Sequence, residues 1–278
     1  MRIAYFCIAA TCISGCAPTT PYRYSGMTPG AHPIAWDGYP KHAGEVHVEG
    51  SASHTMVVEN WFPQVHDTAL NVAATQMEGS ASITPIRGLD VGIRASYAAY
   101  RWTEPTAVGT MPLPSHPSLV GVGPEIHGAI FLDRHQHVAL GLAANVMHYE
   151  VPWAAYKLEG QQYALMTEGS DSDWTFSGGI YPSYSFGRDG EYGTIFSMLG
   201  VHTAFKNDGF ALTASNGSTI QEDGFVPMVG TGYAIHTQYF HASIMGYLPL
   251  SSPVQWGPGV MFGLGVDLPL WHPRARMD

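Results

Sequence analysis

The chain has 278 residues, of which only 12% are Asp, Glu, Lys or Arg, although 45% are hydrophobic and 12% aromatic. Typical soluble domains carry roughly 25% charged residues, so this composition leaves little to furnish a surface that faces water. The formal net charge of −10, with no basic run and with lysine only at Lys41, Lys157 and Lys206, argues against nucleic acid as a partner.

In chain order, Met1-Arg2 gives a positive start and IAYFCIAATCI an apolar run too short to span a bilayer, the layout of a secretory signal peptide. The run ends in I-S-G-C, Ile13 to Cys16. This resembles the lipobox of bacterial lipoproteins, in which a small residue precedes the cysteine where the peptidase cuts and whose thiol carries a diacylglycerol. An ordinary secretory signal cleaved nearby is the alternative. The resemblance implies residues 1–15 as signal peptide and an acylated Cys16 as the single cysteine of the mature chain, so neither a disulfide nor a thiolate metal site is expected. In that family Asp after the cysteine often retains the protein at the inner membrane; Ala17 here implies outer-membrane sorting. Residues 16–43 hold Pro18, Pro21, Pro29, Pro33 and Pro40 without periodicity and are expected to form a lipidated periplasmic tether.

From there to the end, segments of period two recur, the signature of β-strands. Gly44 to His54 sets Val46 and Val48 against Glu45, His47 and Glu49, and Ala73 to Ile86 sets Met77, Ala81 and Ile83 against Gln76, Glu78 and Ser82. Leu89 to Trp102 opposes Val91, Ile93 and Tyr97 to Gly92, Arg94 and Ser96; Leu119 to Leu132 opposes Val120, Val122, Ile126 and Ile130 to Gly123, Glu125 and His127. His137 to Glu150 and Asp173 to Gly187 continue the scheme, while Thr194 to Lys206 shows no clear phase. Phe225 to Thr237, Tyr239 to Leu250 and Gly257 to Trp271 complete ten. The last is the most divided: Val260, Phe262, Leu264, Val266 and Leu268 alternate with Gly259, Met261, Gly263, Gly265 and Asp267. Pro124, Pro182 and Pro227 fall inside these segments, where each removes a ladder hydrogen bond, and bulges are expected there.

A soluble sandwich also alternates, so the connections decide. Long ones (Thr55 to Val72, Thr103 to Ser118, Val151 to Ser172, Asn207 to Gly224) alternate with short ones (Arg87-Gly88, Asp133 to Gln136, Arg188 to Gly193, Gln238), placing all tight turns at one end. This resembles bacterial outer-membrane β-barrels, with short periplasmic turns, long external loops and an even strand number. The resemblance implies an all-β, up-and-down antiparallel transmembrane β-barrel of about ten strands over residues 44–271, with a tail at 272–278. It also implies apolar rows facing lipid, polar rows facing the bore, and both termini periplasmic. Trp102, Tyr149, Trp174, Phe225, Phe186, Phe240 and Trp271 are expected to form the interfacial girdles, and Gly265 to Leu270 is similar to the C-terminal assembly signal of such barrels. Eight or twelve strands, and a lipid-tethered soluble barrel or sandwich, are the alternatives.

On the inner wall Glu78, Arg94 and Glu125 come to one height, with His127 one step below. A Glu–Arg–Glu cluster satisfies its own charges while filling the bore; a solute path is the alternative. His241-Ala242-Ser243 superficially resembles the His-x-Ser of outer-membrane lipid A deacylases, and Asp267 could complete a Ser243, His241, Asp267 set. In that family the site faces the membrane, whereas this parity faces the bore. No metal site or cofactor is expected, because the histidines are scattered. The function expected is a non-enzymatic component of an envelope assembly, such as a secretion, export or surface-motility machine. A narrow porin-like channel for small solutes comes second and an outer-membrane hydrolase third. Outer-membrane lipid and other envelope-complex subunits are the expected partners, in a Gram-negative outer membrane.

Overall fold

The computed structural model describes residues 22–29, 33–57, 68–73, 75–99, 115, 118–159, 162–187, 192–203, 225–237, 239–250 and 256–270. Among them none is helical, and twelve strands form: β1 (Tyr22–Pro29), β2 (Glu45–Val57), β3 (Thr68–Ala73), β4 (Thr75–Ile86), β5 (Leu89–Ala99), β6 (Ser118–Phe131), β7 (Val138–Glu159), β8 (Gln162–Ser185), β9 (Thr194–Thr203), β10 (Phe225–His236), β11 (Phe240–Pro249) and β12 (Trp256–Pro269).

Ten of them close on themselves. From β4 to β12 each strand pairs antiparallel with the next, and β2 joins β12 to β4, with His47 opposite Asp267 on one side and Ser82 on the other. The closed ring leaves no barrel edge with unpaired backbone groups, the condition for a sheet that stands in hydrocarbon.

Parity decides what each face touches, and it is inverted relative to a water-soluble barrel. Leu264 is 69% exposed on the outer face of β12, whereas Arg94 on the inner face of β5 is 2% exposed. Val48, Ile93, Val122, Leu142, Ile180, Leu199 and Ile244 extend the exposed apolar surface around the ring. Soluble monomers usually limit contiguous apolar surface to a few hundred Å², whereas here each of the ten ring strands carries exposed large apolar side chains. The same alternation supplies the missing phase of β9: Thr194, Phe196, Met198 and His202 are buried and Ile195 and Leu199 exposed. The inner wall is therefore not polar throughout, because Phe196, Met198, Met228, Met245, Tyr247 and Met261 form an apolar cluster on β9 to β12. Tyr149, expected in a girdle, shares the inward parity of Asn145 and is fully buried; Trp174, Phe225, Phe186 and Phe240 are exposed on the outside. Trp102 and Trp271 lie outside the described residues.

At the end with the tight turns, Gly88 takes φ of 76°, and its carbonyl accepts the Ala129 N–H at 2.7 Å. The ring is fastened there by the Leu270 N–H donating to the Gly44 carbonyl at 2.9 Å. The other end differs from expectation. Val151 to Ser172 was expected as a loop, but β7 and β8 continue their ladder from Glu150 opposite Ser172 to Glu159 opposite Gln162, with a register shift between Ala155 and Tyr156. This hairpin outruns β6, whose last pair with β7 is Val120 opposite Glu150. The edge of β7 beyond that pair is taken by β1, antiparallel, with Gly26 opposite Trp153 and Tyr22 opposite Lys157. β3 then pairs parallel to β1, with Tyr24 opposite Thr68.

The prolines are accommodated without the expected bulges. Around Pro124 the β6–β7 ladder lapses between Val122 opposite His148 and Glu125 opposite Asn145 and resumes in the same register. Around Pro182 the β8–β9 ladder lapses likewise between Ile180 opposite Leu199 and Ser183 opposite Phe196. Pro227 lies just beyond the first β10–β11 pair, Met228 opposite Pro249. Each ring faces one neighbouring strand only, so the ladder loses local bonds on that side and needs no extra residue.

The largest departure concerns residues 33–40, expected as part of the tether. Ile34, Ala35, Trp36, Asp37 and Tyr39 are buried, packed inside the ring against inward-facing residues of β6, β8 and β10. The chain thus comes from β1 beside the long-connection end, descends the bore, and turns at Lys41, whose carbonyl accepts the Gly88 N–H at 3.0 Å, before β2 starts upward.

Candidate functional site

Side chains occupy the bore at three levels. At mid-height β4, β5 and β6 aim Glu78, Arg94 and Glu125 at one another. Arg94 Nη1 donates to Glu78 Oε2 at 2.6 Å and Nε to Glu125 Oε2 at 2.7 Å. All three side chains are almost completely buried. A guanidinium holds two carboxylates through different edges of its planar fork, which offsets the desolvation of the three charges. Gln76 Nε2 extends the cluster to Glu78 Oε1 at 3.4 Å, Ser96 Oγ at 2.5 Å and the Tyr149 hydroxyl at 3.4 Å. On the lower side His127 Nε2 lies 3.7 Å from Glu125 Oε2.

Directly below is the N-terminal segment. Trp36 stacks on His127 with ring centroids 4.9 Å apart and meets Tyr181 edge-on at 5.4 Å. Room for its indole comes from Gly141, where an added Cβ would stand 2.6 Å from the ring. The Tyr181 hydroxyl donates to the Ile34 carbonyl at 3.1 Å. Gly38 has φ of 74° and lies against Tyr181, so its position excludes a side chain on both conformational and steric grounds. Asp37 accepts the Tyr39 N–H at 3.0 Å and contacts the His236 ring, while Tyr39 packs edge-on against Phe131 at 5.4 Å.

At the turn end Asp267 gathers three groups, from β2, from β11 and from the segment before β2: the His47 ring, His241 Nδ1 at 3.3 Å and Lys41 Nζ at 4.0 Å. His47 continues through Nε2 to Thr84 Oγ1 at 2.8 Å, and that hydroxyl donates to Asp90 at 2.5 Å. The structure therefore brings His241 and Asp267 together, but not in the arrangement a serine nucleophile needs. The second nitrogen of His241 faces Glu49 Oε2 at 3.5 Å, and among the described residues no hydrogen bond joins it to Ser243. A base engaged on both nitrogens by carboxylates has none left for a hydroxyl.

Of the residues singled out from the sequence, Glu78, Arg94, Glu125 and His127 meet in one network, and Cys16 lies outside the described residues. Sequence reasoning missed Trp36, Asp37, Gly38 and Tyr39, which lie buried inside the ring, and His236, which meets them. The available signal was W-D-G-Y itself, two large aromatics within a stretch otherwise composed like a tether.

No family model matches the chain, and no curated protein matches it. Among solved structures, it is similar to the N-terminal β-barrel domain of Pseudomonas aeruginosa OprF at 7% identity, covering 82% of this chain and 100% of that chain with a TM-score of 0.34. It is also similar to the outer membrane channel DcaP of Acinetobacter baumannii at 8% identity, covering 84% and 100% with a TM-score of 0.24. Both likenesses are too distant to assign an activity; the barrel is established by the closed strand order.

Proposed function

We propose that the chain is a lipid-anchored outer-membrane β-barrel, closed by its own N-terminal segment, that acts without enzymatic activity as a structural component of an envelope assembly. One observation carries this reading: the outer face is apolar all round while the bore is filled by the Glu78–Arg94–Glu125 cluster and the Trp36–Tyr39 segment. An apolar exterior needs a bilayer, and a filled interior suits a scaffold better than a conduit. Acylation at Cys16 adds a second anchorage, which favours a part that must stay in place under load.

In-cell cross-linking through the long connections, followed by identification of the captured envelope proteins, tests the assembly role. Recovery of the same neighbours from wild type and from a variant with those connections shortened would overturn it. The second reading is a narrow channel, favoured by the charged lining at mid-height. Steady wild-type conductance in planar bilayers would promote it over the scaffold.

A further inference from the structure

The path of the N-terminal segment decides on which side of the membrane the anchor sits. Chain direction and pairing are fixed at both ends of that path. At the turn end Lys41 and Gly44 bond to the β4–β5 turn region; at the opposite end β1 is built into the wall above β6, paired with the outrunning part of β7. Between them Trp36, Asp37 and Tyr39 lie in the bore.

We propose that the barrel is threaded: its N-terminus passes up the bore and emerges with the long connections, so that the acyl group on Cys16 enters the outer leaflet at the cell surface and not the periplasmic leaflet. This rests on the membrane-barrel reading above and replaces its expectation of two periplasmic termini. Chain length supports it. Tyr22 stands level with Lys157, and the six residues from Cys16 to Tyr22 reach at most about 20 Å when fully extended. Returning to the turn end would mean descending the length of β7 from Lys157 to Val138, about 60 Å of strand at about 3.3 Å per residue, through a bore the same segment already fills. The geometry also explains why β1 exists. A tether leaving on the turn side would have no use for a strand at the other end, whereas a threaded terminus needs one to hold it against withdrawal.

Two measurements on the full chain in an outer membrane test this. With Cys16 acylated the mature protein has no free thiol, so single cysteines can be placed at Thr20, at Gly109 in the β5–β6 connection and at Arg134 in the β6–β7 turn. Intact cells are then treated with a maleimide carrying a polymer too large to cross the membrane. Thr20→Cys and Gly109→Cys are expected to react on intact cells, and Arg134→Cys only after the outer membrane is disrupted. If Thr20→Cys instead reacts together with Arg134→Cys, threading is wrong and the membrane barrel stands. If Gly109→Cys is protected and Arg134→Cys reacts, the orientation assumed for the barrel fails. Separately, Ser25 and Ala154 are register partners, close enough in an antiparallel pair for a disulfide. The Ser25→Cys/Ala154→Cys protein should form the cross-link in folded barrel extracted from cells, and its absence there would overturn threading independently of any surface label.

Discussion

Trp36 stacks face to face on His127 with ring centroids 4.9 Å apart, joining a side chain that precedes the barrel to one on the wall of β6. That contact couples two layers of side chains inside the ring. His127 lies against Glu125 above it, so the indole supports the imidazole that borders the Glu78–Arg94–Glu125 cluster. Replacing Trp36 by Ala removes the stack and the packing on Tyr181, and by the usual cost of deleting a buried Trp it should destabilise by about 3–5 kcal/mol. Urea unfolding of the barrel in lipid vesicles, followed by tryptophan fluorescence or electrophoretic mobility, reads the loss. A change under about 1 kcal/mol would mean that the segment contributes little to the folded state.

The outer face makes the opposite prediction about charge. Leu264 stands near the middle of β12 and is 69% exposed, which in a bilayer means contact with acyl chains. Leu264→Arg should cost about 2–4 kcal/mol if the position lies at the bilayer midplane, and should weaken resistance to SDS before heating. Gly263→Ala, one residue away on the inner face, meets only the ends of the Glu49 and Ser243 side chains. These can swing aside, so the unheated SDS-resistant band should survive. Equal sensitivity at the two positions would contradict the inverted parity.

How much of this was legible beforehand follows from what alternation encodes. Period two registers which face is which, and the strand pairs on β4, β5 and β6 follow from it; so does the meeting of Glu78, Arg94 and Glu125 once those strands are neighbours. Alternation is blind to segments whose contacts are not periodic. Ile34 to Tyr39 runs through the bore with few backbone partners, held by a hydrogen bond from the Tyr181 hydroxyl to the Ile34 carbonyl, a stack and an ion contact, and nothing in the spacing of its residues announces that. The β7–β8 continuation was hidden for a related reason: past Glu150 both faces of β7 are covered, with Val151, Ala154, Ala155 and Tyr156 all buried, so the polar–apolar contrast that marks a strand disappears. Phe196 and Met198 misled in the same way, because apolar residues inside a barrel defeat a rule that sends apolar residues out.

The β6–β7 turn carries a pH dependence of definite sign. Asp133 accepts the Val138 N–H at 2.8 Å and the His135 N–H at 3.2 Å, and the bond from Val138 leads in holding its carboxyl below the ordinary value of 3.8. A carboxyl depressed in the folded state contributes stability that is complete above its unfolded pKa and is lost as pH falls through the folded one. Exchange of the Val138 amide in detergent micelles should therefore be slow at neutral pH and accelerate below about pH 4, the reference value for an unperturbed Asp, once base-catalysed intrinsic exchange is corrected for. Asp133→Ala should show fast exchange at all pH values. A wild-type profile flat across that window would remove the carboxylate from the turn.

Arg94 provides the test that separates a sealed scaffold from a conduit. It stands between Glu78 and Glu125, meeting one through Nη1 and the other through Nε, and the side chain is buried. Arg94→Ala leaves two carboxylates facing each other in a poorly solvated space, and breaking a buried ion pair from one side costs about 3–5 kcal/mol. Removing all three charges together, as Arg94→Met with Glu78→Gln and Glu125→Gln, leaves no orphaned charge and should recover much of that loss. Conductance is expected to follow a different order. Wild type should be silent in planar bilayers, Arg94→Ala should pass cations because repulsion loosens the cluster and leaves a negative lining, and the triple variant should remain silent. Adding Trp36→Ala to Arg94→Ala should raise the current further, since the lower layer of the seal then opens as well. A large wild-type current unchanged by Arg94→Ala would defeat the sealed barrel and favour the channel; a silent Arg94→Ala whose stability has fallen would place the barrier lower, at Trp36 and Tyr39, and the Trp36→Ala current then decides between the two layers.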